Sequence, residues 1–322
     1  MVMSLVLNMQ ADISRYTFRS LAEATISRSR KELAATARIT LPSEYESTYI
    51  CNEIHGGDPV TIRLGYNGKM REEFSGYVVD VAQKRPVVIE CEDEMYQLRR
   101  VHPKARSWKN VKLAQVIAYL LPEAQVLNVP DVTLTPFAIK PGGSVFDVLD
   151  KICSAYGLQA YYRGKQLIVT VPYYAMPTGN VRYDLERNVI RPDLTFRREG
   201  DVRLRIRAVS ILRDNKKLRV EVGDSDAAAV TTLHFYNIMT EAELLRMAQD
   251  KLKVMKYGGF SGTITTFGIP YAEPDMTAEI RDRRFNGNRY GRYMIDSVTT
   301  TAGRSGFRRK VEIGRALSDG TK

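Results

Sequence analysis

Four acids crowd one short stretch of the chain: Glu90, Glu92, Asp93 and Glu94. Paired carboxylates are what a glycoside hydrolase uses as acid and as base or nucleophile. On an extended strand Glu90 and Glu92 share a face. No motif sets a second acid across from them, and a solvated strand edge is the plain alternative. The other chemistry-bearing residues are more scattered. His55, His102 and His234 stand alone, and neither a G-x-S-x-G elbow nor a Cys/His nucleophile pattern occurs. Cys51 and His55 make a single C-x-x-x-H pair, where a structural zinc site needs four ligands. With Cys91 and Cys153 far away in sequence, the cysteines read as buried thiols of a reduced compartment. No metal, cofactor or catalytic residue is expected, and the chain reads as something other than an enzyme.

Arginine is the second source of chemistry. The formal net charge is +11, and it is unevenly spread: Arg182–Arg219 carries +6 and Arg281–Arg315 carries +7. Arg203, Arg205 and Arg207 alternate with Val202, Leu204 and Ile206, so one strand face would present three guanidinium groups. Arg283, Arg284 and Arg289 surround Phe285, Asn286, Gly287 and Tyr290. Basic residues interleaved with aromatics can hold a single strand through phosphate contacts and stacking. Such charge also suits acidic neighbouring subunits or a channel wall, and a solvated strand face or loop is the alternative in each case.

These residues must be carried by elements that the apolar pattern predicts. Val60, Ile62 and Leu64 alternate with Thr61 and Arg63, a half-buried strand, and Asn67-Gly68 is a turn in which both residues tolerate positive φ. Phe74–Val81 and Val87–Cys91 continue the strands, Thr36–Leu41 is another, and Leu5, Leu7 and Met9 begin with the same alternation. Asp93 opens a short helical turn carrying Tyr96 and Leu98. The character then changes. Leu113, Val116, Ile117 and Leu120 lie on one helical face, and Ser144 with Asp147 caps a second helix whose apolar residues are Val145, Val148, Leu149, Ile152 and Tyr156. Gly157 stops it, and Arg163-Gly164-Lys165 turns a hairpin between Leu158–Tyr162 and Gln166–Val171. Trp108 is expected to anchor the core of this segment.

Tyr173–Asn180, with Pro177 and Gly179, reads as a linker. Beyond it the spacing predicts a strand over Asp201–Ile211, a turn at Asn215–Lys217 and a strand over Leu218–Val222. Thr240 and Glu243 cap a helix with a stripe of Leu245, Ala248, Leu252 and Met255. Strands follow at Ser261–Thr266, Thr277–Arg281, Tyr293–Thr301 and Phe307–Ile313, and Ser318–Lys322 reads as a frayed end. Gly76-Tyr77-Val78-Val79-Asp80 echoes Arg292-Tyr293-Met294-Ile295-Asp296, which leaves open either chance or two related β-domains. The 322 residues suffice for two or three domains. No run of about 18 apolar residues predicts a membrane span, and the first residues lack the basic and apolar regions of a signal peptide.

Several segments together resemble the baseplate hub proteins of phage tails, the late control protein D family, which is similar to the N-terminal hub part of type VI secretion spike proteins. They are Phe74-Ser75-Gly76-Tyr77, the Cys91-Glu92-Asp93 corner, Pro141–Leu149, the hairpin from Gly157 to Leu167, and Gly291–Val298 with Gly306-Phe307. The resemblance implies a mainly β fold with an α+β insert. Two tube-forming β-barrel-like domains, 1–100 and 179–322, would be separated by a small α/β domain, 101–178, and the second barrel would carry one long helix. It further implies a homotrimeric ring that adapts a hexameric tail tube to a trimeric central spike. The partners would be other copies of the chain, a tail tube protein and a separate spike protein. DNA passage through the channel is compatible with this without specific nucleic-acid binding, and no insertion into a membrane is expected. The place would be the baseplate of the virion tail, after assembly in the bacterial cytoplasm. On that view Arg203, Arg205, Arg207, Arg283, Arg284 and Arg289 are candidate subunit or partner contacts. Two alternatives stay open: a nucleic-acid-binding protein using the basic C-terminal third, and a cell-wall-binding or degrading tail-associated protein built on the insert.

Overall fold

The computed structural model describes residues 5–317, apart from 46–47, 83, 123–125, 135, 173–176, 199–200, 213–215, 228–229, 237, 239, 257 and 285–288. Alternating apolar residues build the first sheet segment. It contains β1 (Leu7–Ile13), β2 (Tyr16–Phe18), β3 (Glu23–Ser29), β4 (Thr36–Leu41), β5 (Pro59–Tyr66), β6 (Lys69–Ala82) and β7 (Val87–Glu92). Val60, Ile62 and Leu64 face inward, as do Ala37, Ile39 and Leu41, and all are buried. Asn67 and Gly68 make the β5–β6 turn with φ of 53° and 77°. The helical turn after Asp93 is α1 (Met95–Arg100).

The insert follows. Its α2 (Leu113–Leu120) and α3 (Val145–Tyr156) bury the predicted faces, and β8 (Gln159–Arg163) pairs with β9 (Gln166–Thr170) across Gly164. The Ser144 hydroxyl accepts from the Asp147 N–H at 3.2 Å, while the Asp147 carboxylate accepts from the Ser144 N–H at 2.8 Å. Gly157 closes α3 at φ 64°. Trp108 stacks on Phe137 at 6.0 Å and meets Tyr119 edge-on at 5.6 Å, at the border of the insert's apolar cluster.

The chain then returns to β structure with β10 (Asn180–Asp184) and β11 (Arg191–Arg197). A separate three-stranded sheet comes next, β12 (Arg205–Ile211), β13 (Lys217–Gly223) and β14 (Val230–Tyr236), in the order β13-β12-β14. α4 (Glu241–Met255) covers it and forms with it a small apolar cluster of its own. β15 (Gly259–Phe267), β16 (Thr277–Asp282), β17 (Arg289–Gly303) and β18 (Gly306–Ala316) complete the fold.

Two local expectations change. The strand expected from Asp201 begins at Arg205, because residues 201–204 are held as a loop: the Asp224 carboxylate accepts from the Leu204 N–H at 3.0 Å, and the Asp224 N–H donates to the Leu204 carbonyl at 3.0 Å. The buried face of α4 runs through Leu244 and Ala248, while Leu245 is exposed. Adjacent leucines leave the helical phase ambiguous in sequence, and the sheet beneath selects one. The turn expected at Asn215 and part of the Tyr173–Asn180 linker lie outside the described residues.

Apart from a two-residue ladder between Glu44–Tyr45 and Thr48–Tyr49, the strands outside the insert and the small sheet belong to one 13-stranded sheet, and its order contains a repeat. The first segment runs β3-β4-β7-β6-β5-β1, and the second runs β11-β15-β18-β17-β16-β10. The one change of direction is at the end, where β1 lies antiparallel to β5 but β10 lies parallel to β16. The sequence echo falls on equivalent strands of the two segments, β6 and β17. Each carries a register shift at the echoed residues, between Val78 and Asp80 against β7 and between Tyr293 and Ile295 against β18. A bulge of this kind bends a strand and increases its twist.

β17 welds the segments together. Its N-terminal part pairs with β16 (Thr277↔Met294 to Asp282↔Arg289) and its C-terminal part pairs on the same side with β3 (Ser297↔Ser29 to Gly303↔Glu23). At its 15 residues and about 3.3 Å per residue it spans roughly 50 Å.

Candidate functional site

The six candidate arginines fall in two places. Arg207 lies opposite Glu221 in the β12–β13 register and pairs with it at 2.7 Å. Arg205 donates to the carbonyls of Asp224, at 3.2 Å, and Ser225. Arg203, in the loop before β12, reaches Asp226 at 3.1 Å. The other three surround the β16–β17 connection: Arg283 pairs with Asp184 at 2.8 Å, Arg284 with Glu186 at 3.0 Å, and the Arg289 guanidinium lies 4.2 Å over the Phe196 ring. Phe285, Asn286 and Gly287, the centre of the expected basic-aromatic loop, are outside the described residues. All six arginines are therefore engaged within the chain. Solvent screens the ion pairs of Arg203, Arg207, Arg283 and Arg284, so each of these cations can exchange its carboxylate for one on a partner at little cost.

The most deeply buried ion pairs lie elsewhere, where the two sheet segments and the insert meet. Glu73 of β6 and Arg309 of β18 form a bidentate pair, each 1% exposed. Arg309 also donates to the Gly268 carbonyl at 2.8 Å and to the Thr300 hydroxyl at 2.9 Å. Arg28 of β3 donates to the Glu73 carbonyl, and Arg71 stacks at 3.5 Å on the ring of Tyr271. Alongside, Asp275 is fully buried and takes Arg30 at 3.3 Å, Arg163 of the insert hairpin at 2.6 Å, and the Tyr161 hydroxyl. Burial pushes that hydroxyl's pKa up, so it donates as a neutral phenol. One carboxylate thus ties the residue after β3, the insert and the loop before β16 together.

Glu92 and Asp93 of the acidic cluster are buried and used structurally, where a solvated edge was the expectation, while Glu90 stays partly solvated. Glu92 is 5% exposed and accepts from Arg99 through both oxygens at 2.8–3.0 Å. Asp93 is 7% exposed and accepts from the Ala35 and Met95 backbone N–H groups, each at 3.0 Å. Burial pushes the Asp93 carboxyl up to about 7 against those two bonds. Glu90 pairs with Arg38 at 3.4 Å and Glu94 accepts from the Tyr77 hydroxyl at 3.3 Å. No carboxylate in this group is left to face a second across a substrate gap. Burial raises the Cys91 and Cys153 thiols to about 12. The ring of His234 packs on Gly157, and burial, then the Lys217 charge, lowers its pKa. Among the described residues no three His, Cys, Asp or Glu side chains converge as a metal would require, and no helix is long and apolar enough to cross a membrane.

Sequence reasoning missed the junction residues. Arg28, Arg30, Glu73, Arg163, Asp275 and Arg309 come from five distant segments, and only tertiary structure brings them together. One signal was available: charged residues at inward positions of otherwise apolar alternation, as at Glu73 before Phe74 and at Arg309 beside Val311.

No family model matches the chain, and no curated protein matches it by sequence. Solved structures do. A tail protein from Neisseria meningitidis aligns over 97% of this chain and 97% of its own, at 13% identity and a TM-score of 0.63. A 43 kDa tail protein of prophage MuSo2 from Shewanella oneidensis aligns over 96% and 98%, at 14% identity and 0.61. An E. coli component of the type VI secretion system, described as structurally similar to two tail proteins of bacteriophage T4, aligns over 97% of this chain and 77% of its own, at 9% identity and 0.57. At these identities the likeness is one of fold: the chain has the mainly β fold of phage tail proteins along nearly its whole length.

Proposed function

We propose that this chain is a structural component of a phage or phage-like tail, a hub subunit rather than an enzyme. Three copies would close into a ring that adapts a hexameric tail tube to a trimeric spike. The repeated strand order carries the proposal. A chain with two equivalent six-strand segments, welded through β17, supplies two similar tube walls, so three copies present six. The fold shared with tail proteins supports the setting, the virion tail after assembly in the bacterial cytoplasm. The proposed division into 1–100, 101–178 and 179–322 follows the same plan, with the β12–β14 sheet and α4 inserted between β11 and β15 of the second wall.

Ring closure requires a heterologous interface using the two outer ends of the sheet. Mass measurement in solution tests it directly: light scattering should give three times 36.5 kDa, and negative-stain images should show a central opening. A monomer at micromolar concentration with no ring in the images defeats the proposal. Within it, Arg203, Arg205, Arg207, Arg283, Arg284 and Arg289 are proposed to exchange their intrachain partners for acids of a neighbouring subunit or partner. The Arg203→Glu, Arg205→Glu double variant should then weaken the trimer or its capture of the spike protein. Unchanged trimer mass and unchanged pull-down would remove these residues from the interface.

A further inference from the structure

A cleft of about 820 Å³ opens where the insert, the β12–β14 sheet and the second sheet segment meet. Its charge is one-sided. Lys31, Arg197, Arg203, Lys251 and Arg315 line it, and no carboxylate does. Lys31 pairs with Asp296 and Glu312 and Arg203 with Asp226, outside the lining. Arg197, Lys251 and Arg315 have no carboxylate partner among the described residues, and the Arg315 Nε is buried without a hydrogen-bond partner among them. Arg197 and Lys251 are exposed, so the cost of desolvation falls on Arg315, and an incoming acid would relieve it while attracting the other two cations through solvent.

The second feature is a strand edge. Among the described residues β14 pairs with β12 on one side only, as the last strand of its sheet. Five consecutive residues, Thr231 to Phe235, line the cleft. Side chains of a strand alternate between faces, so a face alone would contribute every second residue. Consecutive lining means that the open backbone edge looks into the cleft. An edge of unpaired N–H and C=O groups is a template for an added strand. Leu233, Met255 and Phe260 supply an apolar wall beside it.

We infer that this cleft docks an extended, acidic segment of a partner protein, which adds as a strand to β14 with its carboxylates on Lys251, Arg197 and Arg315. Charge selects this occupant. A second copy of the chain carries the same +11, and its acidic run at Glu90–Glu94 is already occupied by Arg38, Arg99, Tyr77 and backbone N–H groups. A nucleic acid would use the cations but has no use for the strand edge. It would also lack a stacking platform, since Phe260 is 4% exposed. The segment itself must come from another protein. The inference rests on the chain being one component of an assembly only to that extent.

The test uses the full chain and labelled peptides in fluorescence anisotropy at low salt. A ten-residue peptide alternating Glu and Val is expected to bind at least ~10-fold more tightly than its Gln-Val counterpart, and to weaken by a similar factor in 0.5 M salt, where screening acts over only a few ångströms. The same Glu-Val peptide, N-methylated at alternate residues on its ladder-forming edge, should lose binding by ~10-fold, because it cannot pair with β14. Lys251→Glu with Arg315→Glu should lower affinity for the unmodified peptide by ~10-fold or more. The peptide-side changes keep the test valid should that variant misfold. Equal binding of the Glu-Val and Gln-Val peptides, indifference to N-methylation, or binding of a dT12 oligonucleotide in place of the peptide each overturns the inference. A monomeric chain that still binds the peptide would defeat the ring proposal alone.

Discussion

Replacing Glu73 is the sharpest probe of how the two sheet segments are joined. Its carboxylate is the only one that meets Arg309 among the described residues, and both side chains are almost fully removed from water. Removing one partner of a buried ion pair leaves the other charge without compensation and costs about 3–5 kcal/mol. Arg309 would keep the Gly268 carbonyl and the Thr300 hydroxyl, so Glu73→Gln, which retains an acceptor, should sit near the lower end, about 3 kcal/mol. Glu73→Met should sit near the upper end, and Arg309→Met should match it by stranding the carboxylate. The double variant Glu73→Met, Arg309→Met removes both charges and fills the space with apolar atoms. It leaves only Gly268 and Thr300 short of a donor, at about 1–3 kcal/mol. It should therefore be no less stable than either single variant, with a coupling energy of at least about 2 kcal/mol. Urea unfolding followed by far-UV circular dichroism reads this as the shift of the transition midpoint at constant slope. Additive costs, or single variants within about 1 kcal/mol of the parent, would refute the view that this pair holds the segments together.

Asp93 should give the protein a pH signature. Its folded pKa of about 7 lies above the roughly 3.9 of an unfolded chain, so the folded state binds the proton more tightly. The stabilising share is whole below about pH 4 and is lost as pH rises through 7. Asp93→Asn should flatten that slope in urea melts at pH 5 and pH 7.5, whatever it costs at pH 5, and an unchanged slope would count against the assignment. Gly76 passes β7 so closely that a Cβ would overlap the Glu92 carbonyl. Gly76→Ala should accordingly cost more than about 3 kcal/mol by thermal or urea denaturation. Gly68→Ala has open space and meets only the left-handed backbone penalty of about 1–2 kcal/mol, so equal losses at the two sites would contradict the register of β6 and β7.

The sequence by itself determined the local elements and much of their inward faces. Period-two alternation placed β4 and β5, the Ser144–Asp147 capping box placed α3, and Asn67-Gly68 placed a turn, because each depends on neighbours a few residues apart. The echo between Gly76–Asp80 and Arg292–Asp296 was legible as a pattern, but its meaning was not. Pairing order and bulges are properties of strands far apart in sequence, and only the sheet shows that β6 and β17 occupy equivalent positions. The arginines were legible as an excess of charge. That each of the six had a partner within the chain, while Arg197, Lys251 and Arg315 of the 820 Å³ cleft faced no acid among the described residues, was decided by tertiary structure. The physical reason is range: propensity and periodicity act over a turn or a strand, whereas ion pairing, burial and open strand edges depend on which distant segments the packed core brings into contact.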